Sequence, residues 1–114
     1  MNYDKLKEEN IDNFNELNKN LASLDEFREY SEKLKALSDP TRLKIIFLLQ
    51  ANEYSCTCAL QNALDKPQSN ISHHLKILKN AGFIKSQKEG TWVLNKLVDP
   101  EIPKLLKSLI DIIK

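Results

Sequence analysis

The sequence predicts a mainly α-helical fold with one β-hairpin, a winged helix-turn-helix, and three observations point there. Apolar residues recur at steps of three and four along most of the chain. Residues 55–82 read as a short helix, a tight turn and a second helix. Directly after them, "FIKSQKEGTWVLNKL" changes to a strand–turn–strand pattern around Gly90. At 114 residues, with no repeat, low-complexity segment or internal linker, the chain fits one domain, residues 1–114, with one modest core.

From Tyr3 to Leu37 the apolar stripe runs through Ile11, Phe14, Leu17, Leu21, Leu24, Phe27, Leu34 and Leu37. "SLDE" interrupts it with a capping-box signal, Ser23 at the cap and Glu26 three residues on, which gives two helices, about 3–20 and 24–37. The first has a thin stripe and many charges, so residues 1–20 are expected to pack on a partner subunit. "SDPTRLKIIFLLQ" restarts a helix, with Asp39 as cap and Pro40 in the first helical position. Ile45, Ile46, Leu48 and Leu49 make it the most apolar helix, hence the central one. Ser55 is expected to cap a short helix over about 56–64. Pro67 opens the next, which runs to Ala81 and stops at Gly82. Phe83 and Ile84, then Trp92, Val93 and Leu94, flank the turn "KEGT" and give a two-stranded wing over 83–97. Asp99 and Pro100 cap a last helix within 100–114, where Ile102, Leu105, Leu106, Leu109, Ile110 and Ile113 share one face. Its Pro103 lies in the first turn, where a missing N–H does little harm. A domain this small cannot bury both terminal stripes, so a homodimer held by residues 1–20 and 100–114 is expected.

A composition of 41% hydrophobic and 29% charged residues is that of an ordinary soluble globular protein. No apolar run approaches the roughly 18–20 residues needed to cross a bilayer, and "MNYDKLKEENIDNF" lacks a secretory apolar core. A cytoplasmic location without a membrane partner is expected. Two cysteines are too few for a disulfide framework, and a reducing cytosol is expected to leave them as thiols. The net charge of +1 hides a division. Residues 1–34 carry five Lys/Arg against nine Asp/Glu, a balance of −4, and residues 55–98 carry six lysines against Asp65 and Glu89, a balance of +4. A basic middle favours an anionic partner, although uneven surface charge alone gives the same count.

The second helix of the helix-turn-helix shows what it presents to such a partner. With Ile71 at zero and about 100° per residue, Leu75 and Leu78 fall beside Ile71 on a core face. Ser69, His73, Lys76 and Asn80 fall between about 140° and 200°, with Ser72 at their edge. That face holds hydroxyl, imidazole, ammonium and amide groups and no carboxylate, which suits phosphates and base edges in a major groove. Gln68, Ser69 and Asn70 occupy the first turn, where free N–H groups favour phosphate. A merely solvated helix face would show some of the same composition, but Lys85, Lys88 and Lys96 around the hairpin, with Thr91 in its turn, add a basic wing. The candidate DNA-contacting residues are Gln68, Ser69, Asn70, Ser72, His73, Lys76, Lys88 and Thr91. His74 borders the core face and reads as structural.

"ALSDPTRLKIIFLL", "SNISHHLKILKNAGFI" and "QKEGTWVLNKL" resemble the three signature blocks of the ArsR/SmtB winged-helix metalloregulators, in the same order and spacing over about residues 34–98. The resemblance implies a homodimeric repressor that binds double-stranded operator DNA and releases it when a metal or another inducer binds. It also implies that the first and last helices form the dimer interface. "EYSCTCALQNAL" lies where arsenic-sensing members carry C-x-C-x-x-C. Cys56 and Cys58 match the first two positions, but Gln61 stands at the third. A second family site, on the last helix, uses Asp and His ligands for zinc; "DPEIPKLLKSLIDIIK" has no histidine, so that site is expected to be absent.

Cys56 and Cys58 are the candidate metal ligands, for arsenite, antimonite, cadmium or zinc, with no cofactor required for the fold. Residues two apart on an ideal helix diverge by about 200°, so chelation within a helix would have to unwind its first turn. The helix N-terminus favours the thiolate that soft ions need. Two other readings of the pair stay open: a redox couple, and two small buried side chains. Outside DNA binding, a thiol oxidoreductase or metalloid-handling protein would use the same cysteines. However, no C-x-x-C motif and no nucleophile–base pair is visible, so no enzyme is expected. A winged helix used only for protein contact is disfavoured by the carboxylate-free face.

Overall fold

The computed structural model describes residues 1–114, which form two compact units, Met1–Ser31 and Glu32–Lys114. In the first, helix α1 spans Tyr3–Asn20, and Asn2 caps it by accepting a hydrogen bond from the Lys5 amide at 3.1 Å. None of its residues is buried; Phe14 is 70% exposed. Helix α2 spans Leu24–Leu37 and begins at the expected cap, where Ser23 Oγ accepts from the Glu26 amide at 3.3 Å.

In the second unit, helix α3 (Pro40–Leu48) starts on Asp39, whose carboxylate accepts from the Arg42 amide at 3.0 Å. A 3-10 turn over Leu49–Ala51 follows. Strand β1 is only Ser55–Cys56, and helix α4 runs Thr57–Leu64. The expected cap was Ser55, but the chain there is extended and paired in a sheet. Cys56 takes the cap instead, its Sγ accepting from the Ala59 amide at 3.2 Å. Asp65 closes α4 in the left-handed conformation at φ 51°, which a short polar side chain tolerates.

Helix α5 spans Gln68–Asn80, with Pro67 and Ala81 as its flanking caps. It ends in a Schellman motif: Gly82, at φ 93°, donates to the Lys79 carbonyl, and Phe83 donates to that of Leu78, both at 3.0 Å. Strands β2 (Ile84–Glu89) and β3 (Trp92–Leu97) follow without a linker. They pair from Ile84↔Leu97 to Glu89↔Trp92 across the two-residue loop Gly90–Thr91, and Gly90 supplies the positive φ of 61°. The sheet has three strands, in the order β1-β3-β2, all antiparallel, where a two-stranded hairpin was expected. The third is two residues long, too short to leave a period-two pattern in sequence. Helix α6 (Glu101–Ile113) closes the chain, with Pro103 fully buried in its first turn.

The core is one cluster that draws on the helices of this unit and on the β2–β3 hairpin, with no residue from β1. Ile45, Ile46 and Leu49 lie beneath Leu60 of α4 and Ile71, Leu75 and Leu78 of α5, with Ile84 and Leu97 from the hairpin. Ile102 and Leu106 of α6 pack against it.

Candidate nucleic-acid interface

Burial of Ile71, Leu75 and Leu78 fixes which side of α5 faces out. Gln68, Ser69, Ser72, His73, Lys76 and Asn80 are all exposed, and no carboxylate lies among them. Pro67 supplies no side-chain cap, and although the Asn70 amide donates to the Pro67 carbonyl at 3.1 Å, the amides of Gln68 and Ser69 are left to other partners. Asn70 sits apart from this group. It is half-buried at about 260° on the same wheel, and its Oδ1 is buried without a hydrogen-bond partner.

The hairpin stands beside this face, and an open groove of about 270 Å³ separates the two. Gln68, Ser72, Lys76 and Lys79 line it from α5, Val93 from β3, and Ser86 and Asn95 from the paired strands. Lys88 and Thr91 are exposed near the tip of the wing. Lys96 is differently placed from the other wing lysines. Its Nζ lies 5.0 Å from the centre of the Tyr54 ring and 3.9 Å from Glu53, so its charge is engaged at the base of the hairpin. Lys79, Ser86 and Asn95 were missing from the sequence-based set. Asn95 had left a trace, because it is a polar residue in phase with Leu97, and both are buried.

His74 is structural, as its place on the wheel implied. Its side chain is 12% exposed, and Nδ1 lies 3.2 Å from an Arg42 guanidinium nitrogen and 3.9 Å from Asp39. Arg42 in turn donates through Nε to the Ala36 carbonyl at 2.6 Å. Helix α5 is thereby tied to the start of α3. Burial pushes the His74 pKa below its ordinary value; Asp39 opposes this, while Arg42, His73 and Lys66 reinforce it. Asp39 is itself held below the usual carboxylate range, chiefly by the hydrogen bond from the Arg42 amide.

The expectation of two free thiols that diverge on a helix is corrected on both counts. Cys56 and Cys58 are joined as a disulfide, and their Cα atoms are 5.2 Å apart. The divergence of about 200° applies to two helical residues. Cys56 is extended, at φ −70° and ψ 149°, and only Cys58 lies within α4, so the two side chains converge without any unwinding. No group of three or more His, Cys, Asp or Glu side chains comes together anywhere in the chain. A third protein ligand of those types is therefore not supplied by this subunit.

The sequence pattern described as "Bacterial regulatory protein, arsR family" matches residues 39–86, from the cap of α3 into the wing. An uncharacterized HTH-type transcriptional regulator of Methanocaldococcus jannaschii is 44% identical over 84 residues, which cover 74% of this chain and 94% of that protein. The chain belongs to the arsR family. It is thus a DNA-binding transcriptional regulator of a non-enzymatic family. The arsenical resistance operon repressor of Bacillus subtilis is 40% identical over 81 residues, 71% of this chain and 77% of that one. The fold is shared with a homodimeric winged helix-turn-helix DNA-binding domain from Mycobacterium bovis, at a TM-score of 0.67 and 22% identity, over 79% of this chain and 82% of that one. No helix of this arsR-family chain is long and apolar enough to cross a membrane.

The His74 tether makes a pH prediction. A histidine whose folded-state pKa is lowered favours the neutral form on folding, so its contribution is complete above the unfolded value of about 6.5 and is lost as pH falls from there through the folded value. Urea unfolding of the wild type should show stability falling from pH 7.5 to pH 5.5, and His74→Gln should lack that part of the slope. Equal slopes in the two proteins would remove His74 from the pH response.

Proposed function

We propose that this chain acts as a homodimeric repressor that binds double-stranded operator DNA through α5 and the wing. A thiophilic inducer taken at Cys56 and Cys58 releases it. The observation that carries the DNA-binding surface is the exposed, carboxylate-free face of α5 beside the open groove and the wing. Gln68, Ser69, Ser72, His73 and Lys76 are the base and phosphate contacts on α5, and Asn70 supports the first turn from its half-buried position. Lys88 and Thr91 hold the backbone from the wing. On this reading Lys88→Ala weakens all sequences alike and lowers the salt slope by about 1. His73→Ala instead relaxes base preference by about 1–3 kcal/mol at the contacted pair. Electrophoretic shifts on the upstream region at several salt concentrations check both, and two variants that bind like wild type would move the surface elsewhere.

The dimer rests on two apolar faces. Phe14 and Leu17 of α1 are exposed, and on α6 Leu105, Leu109, Ile112 and Ile113 are too, with Ile112 at 80%. A chain lacking residues 1–20 should sediment with a weaker monomer–dimer equilibrium and bind operator less tightly. A truncated chain that stays a tight dimer would confine the interface to α6.

The inducer reading is supported by the convergence of the two cysteines at the N-terminus of α4 and by the similarity to an arsenical resistance operon repressor. Reduced to thiolates, the pair offers two soft ligands to arsenite, antimonite, cadmium or zinc. The third ligand is solvent, a non-thiol group or a residue of the partner subunit. The disulfide itself favours a second reading, in which an oxidant closes the pair in place of an ion. In either case Cys56→Ser/Cys58→Ser should bind operator like wild type and no longer respond, where the wild type is released about 5–150-fold. A double variant that still responds to arsenite, cadmium and oxidant would leave the cysteines as packing residues.

A further inference from the structure

We propose that the state of the Cys56–Cys58 pair reaches the DNA surface through the wing, and that buried Asn95 is the positioning residue that carries it. The inference rests on the reading of this pair as the sensor. The path runs across the sheet.

Cys56 is not only the cap of α4. It is also half of strand β1, paired with Leu94, while Ser55 pairs with Asn95. Cys58 is fixed by the helix, whereas Cys56 is extended and lies before its first turn. A sulfur–metal–sulfur bridge is wider than a sulfur–sulfur bond. When the pair changes from one state to another, Cys56 is therefore the residue that gives, and β1 moves with it.

Asn95 ties that movement to the hairpin. Its side chain is 0% exposed, and three of its four hydrogen-bonding directions, both donors and one acceptor, are in use. Nδ2 donates to the Ser55 carbonyl and to Thr57 Oγ1, both at 3.1 Å, and Oδ1 accepts from Ser86 Oγ at 2.8 Å. Ser55 and Thr57 are the two neighbours of Cys56, and Thr57 stands between the cysteines. Ser86 lies on the far strand of the wing, opposite Asn95 in the register. One amide thus joins both flanks of Cys56 to β2. Breaking any of these bonds leaves a buried or half-buried polar group unpaired, so the cluster shifts as a unit rather than fraying. Thr57, Asn95 and Ser86 also line the groove whose opposite wall carries Ser72 and Lys76. Movement at Cys56 is therefore delivered between the recognition helix and the wing.

The coupling can be read first without operator. Dithiothreitol reduces the disulfide, supplying two electrons and closing to its own cyclic disulfide. Phenylarsine oxide then takes the two thiols: two arsenic–sulfur bonds form, both thiol protons leave on the oxo oxygen as water, and arsenic keeps its oxidation state. Thiol titration reports loading independently of any response. Hydrogen exchange of residues 84–97 and emission of Trp92, the only tryptophan and 54% exposed at the end of the wing, report the hairpin. In wild type, loading should change exchange across β3 severalfold and shift Trp92 emission. Thr57→Val cuts one arm of the cluster and Ser86→Ala the other. Both should load equally and lose most of the response, and on operator their ratio of affinities with and without the arsenical should fall from about 5–150 towards 1. Loaded wild type with an unchanged wing would overturn the proposal, as would variants that respond like wild type. A wing that responds in a protein whose operator affinity does not would sink the sensor reading and leave the coupling standing.

Discussion

The orientation of α5 is the constraint on which the other features depend. Ile71, Leu75 and Leu78 are all buried against the apolar centre formed by Ile45, Ile46 and Leu60. Each such side chain contributes about 1.5–3 kcal/mol by leaving water. Turning the helix by one residue, about 100°, would forfeit much of the roughly 5–9 kcal/mol held by the three, a large part of the 5–15 kcal/mol typical of a whole domain. The polar face is therefore held outward by the core beneath it. No contact with nucleic acid is required to aim it.

Two polar tethers refine that placement from opposite sides. Near the start of α3, Arg42 connects Asp39, the Ala36 carbonyl and His74, which lies on the flank of α5. On the other side, Asn95 connects β1, the first residue of α4 and β2. Both are largely shielded from water, and both involve elements that meet at the candidate interface. The apolar core sets the rotation of α5, and these bonds set its neighbours in register with it.

Much of this was legible in the sequence, for reasons that differ by element. The α1 and α2 bounds follow from one stripe and one capping box, Ser23 with Glu26, because those signals are local. Gly82 marked the end of α5 because a Schellman motif needs a left-handed residue at that place. The outer face of α5 could be read because three buried positions fix a wheel. What escaped notice depended on residues far apart in the chain. Ser55–Cys56 is a strand only because β3 lies alongside, and that pairing took the cap from Ser55 and gave it to Cys56. The inward amide of Asn95 needed partners some 40 residues earlier in the chain. Lys96 carries the sequence signature of a wing charge, but its partners Tyr54 and Glu53 lie more than 40 residues earlier in the chain.

The hairpin's connection has a consequence for how this scaffold can change. The Schellman turn at Gly82 leads into β2 with no slack, and the Gly90–Thr91 loop is already at the minimum of two residues. Growth at the tip therefore proceeds by whole rungs, one residue on each strand, because a single insertion must be absorbed as a bulge. Each rung lengthens the ribbon by about 3.4 Å and turns the end side chains to the opposite face. Only an even number of rungs restores their facing, so the reach of a functional wing is quantised in steps of about 7 Å. Related regulators built on this frame should sort into discrete wing lengths rather than a continuum.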